Sequence, residues 1–185
     1  MPIAAAVFGH LAQRDIRRSS GRLGGGGLAL GGLILGYAGF VVGLPVILIV
    51  AAIAIPNLLR ARVVANEASA AGSLRTLSVA IAAYDSTYGS FPASLEVLGP
   101  PPAGAPPSKN AAGLVDSTLA AGSRHGYVFL YEPYDSVGDG RLDAYTLHAN
   151  PIEPNRSGRF YFFIDESGII RSDREPASAR SPPLQ

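Results

Sequence analysis

The sequence predicts an α+β protein: a long N-terminal transmembrane helix that continues as an amphipathic helix packed on a small antiparallel β-meander of three or four strands. Three observations predict it. Leu23 to Leu59 are 37 consecutive residues without Asp, Glu, Lys, Arg or His, where about 20 apolar residues suffice to cross a bilayer. Beyond them, Leu74, Leu77, Ile81, Tyr84 and Tyr88 recur at helical steps and form one apolar stripe. From Tyr127 onward, short aromatic and β-branched runs are bounded by Gly, Pro, Asn and Asp, the pattern of strands and turns.

Composition narrows the functional classes. The 185-residue chain has a net charge of +1, too balanced to point to nucleic acid. It has no cysteine, which removes disulfides, thiolate metal sites and cysteine nucleophiles. Residues 60–185 carry 11 basic and 13 acidic groups, an ordinary near-neutral balance.

In chain order, residues 1–22 read as a basic, cytoplasmic N-terminal segment with Arg14, Arg17, Arg18 and Arg22. Pro2 to Leu11 are apolar but too short to span. The span is assigned to 23–59. Its glycines Gly32 and Gly36, then Gly39 and Gly43, have the small-xxx-small spacing that lets helices approach in lipid. Pro45 and Pro56 are expected to kink or weaken it. One helix is then expected out to Tyr88, stopped by Gly89. A proline-rich loop covers Gly99 to Pro107, and a short helix capped by Ser108 or Asn110 is expected over Ala111 to Ala121. Strands are placed at Tyr127–Tyr131, Ala144–His148 and Arg159–Ile164, with a return strand at Ile169–Arg171. Residues 60–175 thus form one folded domain, and 176–185 have the composition of a disordered tail.

Candidate chemistry is sparse. His10, His125 and His148 have no metal-site or general-base spacing. Ser167 sits in a Glu-Ser-Gly turn without the surroundings of a nucleophile elbow. Asp135, Asp139 and Asp143, spaced by four around Gly138 and Gly140, are the one candidate metal set, for calcium. The competing reading is an Asp-Gly turn between two strands. The aromatics from Tyr127 to Phe163 divide between a core face and an outward face, and an outward tyrosine stripe is a candidate binding face. No catalytic residue and no cofactor other than that calcium is expected.

Ile49 to Leu59, with its Ala-Ile-Ala-Ile-Pro run, resembles the end of the N-terminal segment of type IV pilins and type II secretion pseudopilins. Asn66 to Leu77, Tyr88 to Pro92, Tyr145 to Ala149 and Phe162 to Arg171 also resemble that group, so the likeness covers about Val46 to Asp173. Phe8 to Ala12, Ile16 to Ser19, Gly21 to Gly25 and Gly32 to Tyr37 resemble the second half of a small bacterial two-span membrane module of unknown function. The chain starts where the first span of that module would be ending, which leaves two alternatives: a truncated start, or use of one span only.

The pilin resemblance implies a non-catalytic, membrane-anchored protein, a subunit or accessory of a pilus or secretion pseudopilus. Its partners would be the membrane and other pilin-like subunits or assembly proteins, with no nucleic acid. It also implies the bacterial cytoplasmic membrane, with the N-terminus inside and the folded domain periplasmic or extracellular. Four arginines before the span against Arg60 and Arg62 after it point the same way. Two departures are specific. The family's processed terminus would fall at Leu35, preceded by Ile34 rather than glycine, and its assembly glutamate at Gly39. Retention of the Arg14 to Arg22 segment is therefore expected. The alternative is a stationary, membrane-tethered binding module that reuses the fold without polymerising.

Overall fold

A computed structural model describes residues 2–19 and 25–184. Arg22 of the basic patch, and Leu23 and Gly24 at the head of the expected span, lie outside the described residues. The chain divides into two units, 1–58 and 59–185.

The first unit contains α1 (Pro2–Arg18) and the first half of α2 (Gly26–Tyr88). α1 packs against α2 through Gly9, where a Cβ would lie 3.2 Å from Leu33 N and 3.4 Å from Ala29 O. His10 Nε2 is 3.1 Å from the Tyr37 hydroxyl. α2 is assigned as one helix through both Pro45 and Pro56. It is long and apolar enough to cross a membrane by length and composition. Gly32 and Gly43 have open space where a side chain would stand.

In the second unit α2 changes character. Leu74, Leu77, Ile81 and Tyr84 are buried and Tyr88 packs beside them, as the stripe predicts. α2 ends at Tyr88, directly before Gly89. The covering sheet has five strands: β1 (Ser123–Arg124), β2 (Tyr127–Tyr134), β3 (Ala144–Pro151), β4 (Tyr161–Asp165) and β5 (Arg171–Asp173). Each pairs antiparallel with its neighbour in sequence, so the sheet is a meander. Register sets the core. Phe129 faces Ala149, which faces Phe162, and Leu147 faces Ile164; all five are buried in one cluster with the α2 stripe. Burying each large side chain contributes about 1.5–3 kcal/mol.

Four expectations are corrected. The sheet has one strand more than the three or four expected, because β1 is two residues long and carries no hydrophobic pattern. The short helix covers only Ser117–Ala120, and its cap is Asp116, whose Oδ1 accepts from Leu119 N at 3.0 Å. Ser108 instead forms an isolated bridge with Ala111. The return strand is Arg171–Asp173, two residues later than expected, because pairing with β4 begins at Arg171, opposite Phe163. The expected disordered tail is held on β5, with Ser172 N donating to Pro182 O at 2.9 Å and Leu184 N to Ile170 O at 2.8 Å. Ala177 is buried and Leu184 packs on the core, so two apolar contacts and backbone pairing outweigh a composition rich in Pro and Ser. Gln185 lies outside the described residues.

Candidate functional site

A cleft of about 720 Å³ in the second unit forms where three segments meet. α2 contributes Leu59, Arg60, Arg62, Val63 and Asn66; the β1–β2 turn contributes His125 and Gly126; the β3–β4 loop contributes Ile152, Glu153, Asn155, Arg156, Ser157 and Arg159. The turn is built by His125 and Gly126, with φ of 46° and 79°. Two left-handed residues between paired strands make the tight hairpin whose twist matches the sheet, and Gly adopts the second position without strain. The same Gly126 admits close approach: a Cβ there would stand 2.8 Å from Ser157 Cβ and 3.3 Å from Asn66 Nδ2.

The β3–β4 loop is braced from within and from α2. Glu153 O accepts from Arg156 N at 3.0 Å and Ser157 N at 2.8 Å, and Ser157 Oγ accepts from Glu153 N at 3.0 Å. Ile152 N donates to Gly126 O at 2.9 Å, joining loop to turn. From α2, Asn66 Nδ2 donates to Ser157 O at 2.9 Å. Its neighbour Glu67, 9% exposed, accepts from Arg159 N at 2.8 Å, and Arg159 Nε lies 3.5 Å away. A buried carboxylate needs such partners. Beneath the loop, Tyr127 Oη donates to Phe160 O at 2.8 Å. Its side chain occupies the place a Cβ on Gly158 would take, so a larger residue at 158 requires Tyr127 to shift. Burial pushes the Tyr127 phenol well above its ordinary range, and the nearby Glu67 carboxylate adds to the shift.

The cleft is basic. Arg60, Arg62, Arg156 and Arg159 line it against the single carboxylate Glu153. Arg156 pairs with Glu153 at 3.0 Å and Arg159 is engaged by Glu67. Arg60 and Arg62 are exposed and make no ion pair among the described residues. Ser69 Oγ and His125 Nδ1 are 2.7 Å apart, which ties the turn to α2. Guanidinium groups present planar pairs of donors to oxyanions, so the arrangement suits an anion.

The other candidates are dispersed. His10 is on α1, His125 in the turn, and His148 on β3, where its ring stands 5.1 Å from Phe163. Ser167 is hydrogen-bonded to the Asp165 carboxylate inside the β4–β5 turn. Asp135 accepts from the backbone N–H groups of Gly138, Val137 and Gly140, and Asp143 from Ser136 N and Oγ at 2.7 Å each. Asp139 accepts from Arg141 N at 2.9 Å. The Gly140 N–H, foremost, holds the Asp135 carboxyl below its usual range, and the Ser136 N–H does the same for Asp143. These carboxylates thus organise the β2–β3 turn, and among the described residues no group of three acidic or histidine side chains is arranged to hold a metal. An outward tyrosine stripe is not formed: of the strand aromatics, only Tyr134 is exposed. Phe163, on the side away from the core cluster, is itself buried.

Sequence reading missed the basic cleft because its residues span Leu59 to Arg159 and no local spacing links them. The one local signal was Arg60 and Arg62 directly after the apolar run. No protein-family model matches the chain, and no curated protein or solved structure matches it at a significant level.

Proposed function

We propose that this is a non-catalytic, membrane-anchored, pilin-like protein. In this reading α2 is a single span in the bacterial cytoplasmic membrane, the N-terminus is cytoplasmic, and the folded domain acts outside as a subunit or accessory of a type IV pilus or secretion pseudopilus. The observation that carries the reading is α2 itself, one 63-residue helix. Its first half is apolar and mostly exposed, and its last turns bury a stripe under an antiparallel meander. Exposed apolar surface on that scale calls for lipid or partner helices.

A stationary tether is the second reading, and α1 favours it. The contact of Gly9 with Ala29 and Leu33 ties the arginine-bearing α1 to α2. Arg14, Arg17 and Arg18 would resist entry into an apolar filament core. No acidic residue lies between Asp15 and Glu67 to pair with a neighbour there. Mechanical shearing of cells of the native host separates the two readings. Recovery in the sheared filament fraction supports the subunit; recovery with membranes alone, as a chain that retains Arg14 to Arg18 by intact mass, supports the tether. Protease added to spheroplasts should remove residues 100–185, and their protection would reverse the topology.

A further inference from the structure

We infer that the basic cleft between α2, the β1–β2 turn and the β3–β4 loop is a binding site for the headgroup of an anionic phospholipid. The inference rests on the anchoring part of the reading above. The chemistry it requires is a phosphate ester carried on an apolar body, and the cleft offers a complement to both.

The charge comes first. Two guanidinium groups, Arg60 and Arg62, line the cleft without an internal partner among the described residues. Arg156 pairs with the exposed Glu153, an exchange that a phosphate can enter because surface pairs of this kind are weak. Bidentate donation from arginine to phosphate oxygens is stronger than a neutral hydrogen bond.

Apolar surface borders the same cleft. Leu59 is 59% exposed and Ile152 is 55% exposed, and both line it. Isolated apolar groups on a water-facing rim need no explanation, but both of these line the cleft that the arginines line, and Leu59 directly precedes Arg60. Leu59 closes the uncharged stretch that begins at Leu23, and Arg60 is the first charge after it. A helix leaving a bilayer places its first arginines at headgroup level. Leu59 and Ile152 then meet the acyl boundary while Arg60 and Arg62 meet phosphate.

Preorganisation completes the case. The loop that carries Ile152, Arg156 and Arg159 is fixed by Asn66 and Glu67, which sit one to two turns beyond Arg60 and Arg62 on the same helix. Lipid bound at the cleft would therefore join the emerging helix to the sheet side of the domain.

The test uses the full chain in a non-ionic detergent, with native mass spectrometry counting bound lipid. Phosphatidylglycerol, phosphatidylcholine and inorganic phosphate are the probes. Phosphatidylglycerol should bind at least tenfold more tightly than phosphatidylcholine. Attraction to anionic lipid amounts to about fivefold per basic residue, so Arg60→Gln with Arg62→Gln should lower phosphatidylglycerol affinity roughly 25-fold. Both side chains are exposed and make no ion pair among the described residues, so the double variant should keep the wild-type melting temperature. Arg75→Gln, outside the cleft, should bind as wild type. Equal binding of the two lipids, or an unchanged affinity in the folded double variant, would overturn the inference. Displacement of phosphatidylglycerol by millimolar inorganic phosphate would also overturn it, because the site would then serve a free anion. Separately, release of the protein from membranes by alkaline carbonate would defeat the anchoring reading, whatever the lipid preference.

Discussion

Residues 26–58 and 59–88 belong to the same helix, yet they solve different problems. In the first stretch almost every large side chain is exposed, including Leu48 at 59% and Val42 at 65%. In the second, Leu74, Leu77 and Ile81 are completely buried while Val79 on the opposite side is 70% exposed. A helix that is apolar all round asks for an apolar surrounding on every side, whereas a striped helix asks for one partner surface. The comparison shows where hydrophobicity is spent on a tertiary core and where it is left for an environment outside the chain.

The sharpest way to break the contrast is to truncate each half. Ile81→Ala or Leu77→Ala should destabilise the folded domain by about 2–5 kcal/mol, whereas Val79→Ala should stay within about 0.5 kcal/mol. Thermal melting of the detergent-solubilised chain followed by near-ultraviolet circular dichroism measures both. Equal losses would mean that the helix phase described here is wrong.

Leu48→Arg reverses the test. The arginine should leave domain melting unchanged but cost about 2.5–3.5 kcal/mol of membrane insertion. Carbonate extraction reads the second quantity. A variant that stays as firmly in the membrane pellet as wild type would deny that this half of α2 faces lipid.

Gly158→Ala probes the site end of the striped half. The new methyl group would overlap the Tyr127 side chain, and overpacking of this kind costs about 1–3 kcal/mol. Unchanged melting would show that Tyr127 can move aside without loss.

Two pH limbs should also separate within the folded domain. Burial raises the phenols of Tyr127, Tyr131 and Tyr145. Folding then favours their protonated forms, so this stability is complete below the ordinary tyrosine value of about 10 and is lost as pH rises beyond it. Backbone N–H donors lower Asp135, Asp143 and Asp116. That stability is present above the ordinary carboxylate value of about 4 and is lost as pH falls through the lower folded values. Melting temperatures measured from acid to alkaline pH should fall on both limbs, and Asp135→Asn should flatten the acid one alone.

The smallest effect is expected at the Asp85–Arg141 pair. Its atoms are 3.1 Å apart but both side chains are partly solvated. Asp85→Ala should cost at most about 1 kcal/mol. A larger loss by the same melting assay would show that this pair locks the β2–β3 turn onto α2.

By itself the sequence determined α2, its apolar first half, its buried stripe and the positions of the three longest strands. Each is written in a local period of apolar residues, at helical steps from Leu74 to Tyr88 and by alternation along Tyr145, Leu147 and Ala149. It also showed a turn at Asp135 to Asp143. It did not show which N–H and hydroxyl groups those carboxylates would accept from, because acidic residues around glycine suit a turn and a cation alike. Only the tertiary structure decided β1, the docking of the 176–184 segment, and the cleft. β1 is defined by pairing with Tyr127 and Val128 rather than by its own residues, Ser123 and Arg124. The 176–184 segment is held by backbone bonds to Ile170 and Ser172 and by Leu184 packing on the core. The cleft joins Arg60 to Arg159 across almost a hundred residues, through Asn66 and Glu67, which read as ordinary polar positions of a helix until the β3–β4 loop closes on them. Hydrogen bonds between distant segments leave no period in the chain, and that is why the site came from the fold.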